Sequence, residues 1–495
     1  MAEPPPPGAS PVPDPEPKVP EKGPVVRAPL VAGLMFALMT AALLHRVLSF
    51  APATIDEPYW ISSGHLAWQL VKTGAPPHRW AEAFDEAGLG PFGNQNPPVG
   101  KVLVGMAADV AGEPGDPMRY RWVWPRSYAY NLAAGNLPPP ALLAGVRGMI
   151  ALLGLGSLVL VYLIAREAAG RARWAPLLAP AILFSDRAFQ DSATRVFMDV
   201  PLMFLTLTGI WLTLRWIRRG GMGALTGALV FVGLACATKF SAGSLAAATA
   251  ALVGLVRAPF RKRVLHVLLA AAVPAAVFVA VNPFLWPQPV KGTLALLREW
   301  SAIMHGQKAD PALAADAVTD RWKAARLVLR NGCVPVRHGP DVVGTPAPWH
   351  NALAAALAFA GVGGLALAAF RRGRAPVPGR GRFAAALGLG TAAALAAAGT
   401  PKGAVLTAAV LAVGAWRTAR RLRTARRFEA PEYLGALFLA TLAATVAWLP
   451  FDWPRFYLPV FSLSAAFAAW GAMEMEENLS RCAEPDAGAG GTRQR

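Results

Sequence analysis

Cysteine is rare in this chain, with three residues in 495. Cys236 lies in an apolar run, Cys333 in a long polar segment and Cys482 near the C-terminus. No two of them have the spacing of a disulfide framework or of paired metal ligands. This scarcity argues against both a disulfide-stapled fold and a zinc site.

Charged residues are also few, since 16% of the chain is charged whereas 55% is hydrophobic. Soluble domains carry about 25% charged residues, and apolar runs of membrane-spanning length recur throughout this sequence. These two features exclude an ordinary soluble domain. They predict an all-α polytopic integral membrane protein.

Acidic residues are fewer than basic ones, 29 against 48, which gives a formal net charge of +19. The basic residues form short clusters between apolar runs, a pattern typical of cytoplasmic loops rather than of a nucleic-acid surface. We therefore expect the lipid bilayer as a partner and no nucleic acid.

The common motifs of soluble enzymes are missing in any supporting context: HExxH, GxSxG, GxGxxG and GxxxxGK[ST]. The seven histidines are few and scattered. The sequence therefore demands no cofactor. A divalent cation shared by two aspartates, Asp56 and Asp199, stays open.

About twelve transmembrane helices are predicted from the apolar runs. Their approximate ranges are 28–49, 141–165, 174–186, 197–214, 222–238, 241–256, 264–284, 351–370, 383–399, 403–416, 433–450 and 456–473. Five short loops on one side carry 21 Lys and Arg residues, whereas the short turns on the other side carry five. This asymmetry predicts a plasma (inner) membrane protein with both termini in the cytoplasm.

The predicted organisation is one membrane domain, 28–475, between Pro-rich and polar disordered tails at 1–27 and 476–495. Two long outer loops, 51–140 and 285–350, lack the character of separate domains. A cleaved signal peptide ending at the A-x-A segment 51–53 is the alternative for the first span.

The first outer loop is predicted to contain interfacial helices. One begins near Pro58, with Trp60 and Trp68 on its apolar side and Ser62 and His65 on its polar side.

Three carboxylates lie at the predicted outer membrane face: Asp56, Glu57 and Asp199. An acid at that depth is costly unless it is paired or hydrated, so each is a candidate functional residue. The structural alternative is that they complement helix N-termini, because Pro58 and Pro201 follow closely.

Five basic residues share that predicted face or approach it, and a phosphate suits such a group. They are Lys101, Arg147, Arg195, Lys239 and Arg455. The alternative for each is an interfacial side chain that extends to water.

Five short segments resemble motifs of the GT-C membrane glycosyltransferases. In chain order they are "IDEPYW", "NPPVGKVLVG", "TRVFMDVPL", "ATKFSAG" and "RFYLPV". The likeness is to the polyprenyl (dolichyl)-phosphate-mannose–protein mannosyltransferases and their bacterial carrier-dependent relatives. It implies a GT-C-like fold and a polyprenyl-phosphate-linked sugar as donor.

The resemblance also implies roles for matching residues. Asp56 would be the general base that deprotonates an acceptor hydroxyl, with inversion at the sugar C1. Glu57 and Asp199 would position the acceptor or a cation, and the five basic residues supply the phosphate ligands. Asn96 stands where the mannosyltransferases usually carry His, and Trp286 is either a sugar contact or an interfacial tryptophan.

The predicted function is transfer of a sugar from a polyprenyl-phosphate carrier to a hydroxyl of a protein or envelope glycolipid, on the extracytoplasmic face. The sequence names neither the sugar nor the acceptor. A transporter or flippase of a lipid-linked sugar needs similar charges, but it would favour internal repeats and helices broken near mid-bilayer. The sequence shows no repeat, and its charged candidates gather at one interface. A non-catalytic envelope partner would not need the paired acids.

Overall fold

The computed structural model describes thirteen ranges of the chain, and every structural statement below concerns these residues. They are 28–49, 52–88, 97–112, 119–123, 126–168, 175–254, 256, 259–311, 313–318, 320–333, 430–451, 454–466 and 469–470. Within them the chain is helical, with one isolated β-bridge between Ala317 and Phe451 and no strand.

The helices are numbered here in chain order. They are α1 Ala28–Leu48, α2 Asp56–Lys72, α3 Pro77–Glu86, α4 Pro98–Val110, α5 Tyr128–Ala133, α6 Pro140–Ala168, α7 Leu178–Ser185, α8 Arg187–Ala193, α9 Asp199–Arg219, α10 Met222–Cys236, α11 Gly243–Val253, α12 Phe260–Ala280, α13 Pro289–Ala309, α14 Arg321–Cys333 and α15 Ala430–Trp448. Residues 458–466 are helical as well.

Four of the described helices, α1, α6, α9 and α12, are long and apolar enough to cross a membrane. Four shorter apolar helices occupy Ala175–Ser185, Met222–Cys236, Phe240–Val253 and Tyr433–Trp448. The predicted class, a helical polytopic membrane protein, is confirmed. The spans expected at 351–370, 383–399 and 403–416 lie outside the described residues, so the count of twelve stays a prediction.

Helix α9 lies at the centre of the described bundle. Of its most apolar stretch 72% is buried, whereas the corresponding figure for α1 is 17%. Helices α6 and α10 pack along α9, and α15 contacts α11 and α14. Helix α1 is left at the periphery although it is the more apolar of the two, with a mean hydropathy of 1.8 against 1.5 for α9.

Helices α2 and α4 cross at two glycines. A Cβ atom on Gly105 would lie 2.1 Å from the carbonyl oxygen of Gly64, and one on Gly64 would lie 2.7 Å from the carbonyl oxygen of Lys101. Only glycine allows the two backbones to approach this closely. The crossing fixes α4, and with it Lys101, against α2.

The helix predicted near Pro58 is present and begins at Asp56. Ser62 and His65, which periodicity assigns to its polar side, are buried, so this part of the polar side does not face water. The reason is tertiary: α4 packs along α2, and the Ser62 hydroxyl donates to the carbonyl oxygen of Tyr120 at 2.7 Å.

Candidate active site

The segment 195–199, which joins α8 to α9, connects several distant parts of the chain. The backbone N–H of Val196 donates to Glu57 Oε1 at 2.9 Å. The ring of Phe197 lies 4.9 Å from the guanidinium carbon of Arg455. Consecutive residues of an irregular segment point in different directions. This segment can therefore bring Glu57 of α2 and Arg455 together beside the start of α9.

Glu57 and Arg147 form a buried ion pair at the start of α2. Arg147 donates from Nε to Oε1 at 2.8 Å and from Nη2 to Oε2 at 2.7 Å, so the pair is bidentate. The backbone N–H groups of Thr54 and Val196 donate to the same carboxylate, at 2.7 and 2.9 Å. Four donors satisfy the buried charge of Glu57, and the pair ties α2 to α6.

Asp56, the neighbour of Glu57, has a different environment. Its Oδ2 accepts a hydrogen bond of 2.5 Å from Nη1 of Arg455. Its side chain is 40% exposed, and the described residues supply no hydrogen bond to its second oxygen, Oδ1. Asp56 therefore combines a fixed orientation with an accessible proton acceptor.

Asp199 and Lys239 form a second ion pair at the same surface. Lys239 Nζ donates to Asp199 Oδ1 at 2.6 Å, where Asp199 is the first residue of α9 and Lys239 precedes the 3₁₀ turn Phe240–Ala242. The Asp199 side chain is 7% exposed and that of Lys239 is 20% exposed. The pair is therefore more enclosed than that of Asp56 and Arg455.

The ring of Phe456 lies between the two pairs. Lys239 Nζ is 4.9 Å from its centroid and the guanidinium carbon of Arg455 is 5.9 Å from it. Burial opposes the charge of Arg455, but Asp56 and Asp199 outweigh that effect and hold its pKa above the usual value. Two acids and two cations thus form one electrostatic group around an aromatic ring, here called the twin-pair site.

A cavity of about 220 Å³ opens beside the twin-pair site. Asp199 and Lys239 line it together with Thr206 on α9 and Thr441 on α15. Most of its remaining lining is apolar, and it includes Trp300 and Trp448, whose rings stack at 5.7 Å. The cavity therefore joins a charged end to an apolar interior.

Lys101 lies away from the twin-pair site. Its side chain is buried with Nζ 4.9 Å from the centroid of Phe84 on α3. The burial lowers the pKa of its ammonium to about 7. The start of α4 is nevertheless close to Lys239, because Val99 N–H donates to the carbonyl oxygen of Ala237 at 3.0 Å.

Of the three remaining predicted site residues, the structure describes two. Arg195 is buried near Asp191 of α8. Trp286 is half-exposed, and its indole N–H donates to the carbonyl oxygen of Val279, at the end of α12. Asn96 lies outside the described residues. Among all the residues that the structure describes, no group of three or more His, Cys, Asp or Glu side chains could hold a metal ion.

The aromatic residues of the site are not evident from the sequence alone. Phe197 and Phe456 each stand beside a predicted charged residue, in "TRVFMDVPL" and "RFYLPV". An aromatic residue next to a charge at a membrane interface is common enough to carry little weight. Only the tertiary structure shows that both rings make cation–π contacts with the guanidinium of Arg455.

The family model described as dolichyl-phosphate-mannose-protein mannosyltransferase matches residues 90–284. That range includes Asp199 and Lys239, whereas Asp56 and Arg455 lie outside it. No curated protein matches the chain.

Three solved structures resemble the chain at low identity. The protein O-mannosyltransferase Pmt1–Pmt2 complex of S. cerevisiae, bound to its sugar donor, is 15% identical with a TM-score of 0.38, over 51% of this chain and 33% of that one. The oligosaccharyltransferase AglB of Archaeoglobus fulgidus, with an inhibitory peptide and a dolichol-phosphate, is 13% identical with a TM-score of 0.43, over 88% and 49%. ArnT of Cupriavidus metallidurans, bound to undecaprenyl phosphate, is 13% identical with a TM-score of 0.37, over 90% and 77%.

This chain thus spans about a third to a half of the length of the first two structures. Three of the five quoted motifs lie within the range that the family model matches. That match confirms the resemblance to the GT-C membrane glycosyltransferases.

Proposed function

We propose that the chain is an inverting glycosyltransferase that moves a sugar from a polyprenyl-phosphate carrier to a hydroxyl acceptor. The observation that carries this proposal is the twin-pair site: the pairs Asp56–Arg455 and Asp199–Lys239 flank Phe456 beside an apolar cavity. A lipid-linked sugar needs both a cationic surface for its phosphate and an apolar space for its chain.

Lys239 and Arg455 are the cations that we assign to the donor phosphate. Each has a side chain about one-fifth exposed, so each can meet a ligand without leaving its carboxylate partner. Arg147 is excluded from this role by its bidentate bond with Glu57, and Lys101 by its enclosure against Phe84. The cavity would take the first part of the isoprenoid chain or the sugar.

Asp56 is the residue that we assign as general base, with Oδ1 facing the acceptor. The acceptor oxygen attacks the sugar C1 from the face opposite the phosphate, and its proton passes to Asp56. The new C1–O bond forms as the bond from C1 to the phosphate oxygen breaks, with its electron pair leaving on the phosphate. Arg455 and Lys239 stabilise the charge that develops there.

Asp199 acts in this scheme by holding Lys239, whereas Glu57 and Arg147 hold the backbone around the site. The family description favours a dolichyl-type phosphate-mannose donor and a protein acceptor, and an envelope glycolipid is the other acceptor class. We further propose one membrane domain over 28–475 in the plasma membrane. The basic loops favour cytoplasmic termini and an extracytoplasmic site.

The test is a transfer assay with the purified full chain, a labelled polyprenyl-phosphate mannose and either a peptide or a glycolipid acceptor. We expect labelled product from the wild type and at least a tenfold loss of kcat/KM in Lys239→Ala. Lys72→Ala, which removes an exposed lysine paired with Asp109, is the matched control and should keep wild-type rates. Movement of the donor across vesicles without transfer would favour the transporter and contradict the proposal.

A further inference from the structure

A second group of charges lies where α1 and α8 meet, apart from the twin-pair site. Asp191 on α8 pairs with Arg46 at the end of α1 and, at 3.6 Å, with Arg187. Arg46 also donates to Gln190 Oε1 at 3.2 Å. Arg195 adds a third guanidinium to this group, here called the arginine cluster.

Arg195 is the unusual member of the arginine cluster. Its side chain is buried, with the residue 7% exposed, and among the described residues no carboxylate lies within ion-pairing distance of it. Burial is the main reason that its pKa is lowered, and Arg147 and Arg187 act in the same direction against Asp191 and Glu57. A guanidinium that is largely withdrawn from water, with five donors and no carboxylate paired to it among the described residues, is costly.

The charges of the arginine cluster do not balance. Three guanidiniums face one carboxylate, and the adjacent pair of Glu57 and Arg147 is neutral. The excess is two positive charges at the edge of a membrane bundle, where unpaired charge is expensive. An anion of one or two charges with several acceptor oxygens would restore the balance.

The position of the arginine cluster indicates which kind of anion it binds. Arg46 lies in the last turn of α1, the peripheral helix, whose Leu44 and Leu48 are exposed. Such side chains contact acyl chains in a bilayer. A phosphate next to them is most simply that of a lipid headgroup.

We propose that Arg46, Arg187 and Arg195 form a binding site for the phosphate of an anionic phospholipid, separate from the donor site. The charges that Arg195 senses are those of Asp191, Glu57, Arg147 and Arg187, whereas Arg455 senses Asp56 and Asp199. The two sites therefore respond to different carboxylates. Loss of one does not require loss of the other.

The experiment measures lipid binding to the full chain by native mass spectrometry and by the thermal unfolding midpoint in detergent. The probes are phosphatidylglycerol, zwitterionic phosphatidylcholine and inorganic phosphate. We expect phosphatidylglycerol to bind and to raise the midpoint above that with phosphatidylcholine. Arg195→Gln should weaken this binding about tenfold, the effect of losing one charge-assisted contact.

Two further variants keep the test decisive. Arg187→Gln removes a partly exposed side chain, so it tests the site even if Arg195→Gln fails to fold, and it should also weaken binding. Arg79→Gln on α3 is the matched control and should bind phosphatidylglycerol like the wild type. Lys239→Ala should bind it normally too, although its sugar transfer falls.

Two results would overturn the proposal. In one, Arg195→Gln or Arg187→Gln folds and binds phosphatidylglycerol with wild-type affinity. In the other, inorganic phosphate raises the unfolding midpoint of the wild type as much as phosphatidylglycerol does. That result would mean that the site binds phosphate without recognising a lipid.

Discussion

Arg455 donates a hydrogen bond of 2.5 Å to Asp56 across 399 positions of sequence. The contact joins the first residue of α2 to the 3₁₀ turn Pro454–Tyr457 beyond α15. The twin-pair site is therefore complete only when the start of α2 and the turn Pro454–Tyr457 have met. The orientation of the proposed base depends on a residue that the sequence places almost as far away as the chain allows.

Arg455→Lys tests whether the planar, bidentate geometry of the guanidinium is needed. A lysine keeps the charge but loses the planar set of donors that can hold Asp56 and a phosphate together. We expect kcat/KM for sugar transfer to fall ten- to a hundredfold, which corresponds to about 1.5–3 kcal/mol for a charge-assisted hydrogen bond. Arg79→Lys, on exposed α3, is the control, and equal rates in both variants would refute the role of Arg455.

Glu57→Gln tests whether this acid is structural. The change leaves Arg147 buried without its counter-charge, and breaking a buried pair costs about 3–5 kcal/mol of folding free energy. We expect a clearly lower thermal unfolding midpoint, whereas Glu82→Gln on the exposed face of α3 should leave it unchanged. A variant that unfolds normally yet transfers no sugar would instead assign Glu57 to the chemistry.

Gly105→Ala tests the crossing of α2 and α4. The added Cβ would lie 2.1 Å from a backbone oxygen of Gly64, and backbone atoms cannot turn aside as a flexible side chain can. We expect the free energy of unfolding to fall by about 1–3 kcal/mol. Gly148→Ala on α6 meets nothing within 4 Å and should be neutral or stabilising, so equal losses in the two variants would count against the crossing.

Lys101→Met tests the cost of the buried ammonium. The folded-state pKa of about 7 lies below the ordinary lysine pKa of 10.5, so between these pH values the unfolded chain binds the extra proton. The contribution of Lys101 to stability therefore rises as pH increases from 7 to 10.5 and is least favourable at or below pH 7. Methionine removes the charge, and we expect a gain of about 2–4 kcal/mol at pH 7 that disappears near pH 10.5.

The measurement for Lys101→Met is the unfolding midpoint in detergent across that pH range. Lys72→Met, which changes an exposed lysine, should show no such gain. A loss of stability in Lys101→Met at pH 7 would mean that the contact with Phe84 outweighs the cost of burial.

The long helices could be predicted from the sequence because their apolar length alone determines them. The run at 141–165 becomes α6, Pro140–Ala168, and the run at 197–214 becomes α9, Asp199–Arg219. The predicted start of α2, near Pro58, is also close to the observed start at Asp56. Burial of Ser62 was missed, since periodicity describes one helix and α4 is what covers it.

The sequence could nominate charged residues for the site but could not pair them. Asp56 and Glu57 are adjacent and chemically alike, yet one is partly exposed beside Arg455 and the other is sealed against Arg147. That difference arises because successive residues of an α-helix point about 100° apart around its axis. The packing of distant helices determines which cation pairs with each acid.

We propose that Asp56 acts on the acceptor and not on the donor. The most direct measurement compares Asp56→Asn with the wild type in two quantities, the Kd for polyprenyl-phosphate mannose and the rate of transfer at saturating donor. Loss of a general base typically costs 10²–10⁴-fold in rate. We predict a donor Kd within about threefold of wild type and a transfer rate at least a hundredfold lower, while Asp109→Asn is normal in both. Transfer at near wild-type rate by folded Asp56→Asn would contradict the account.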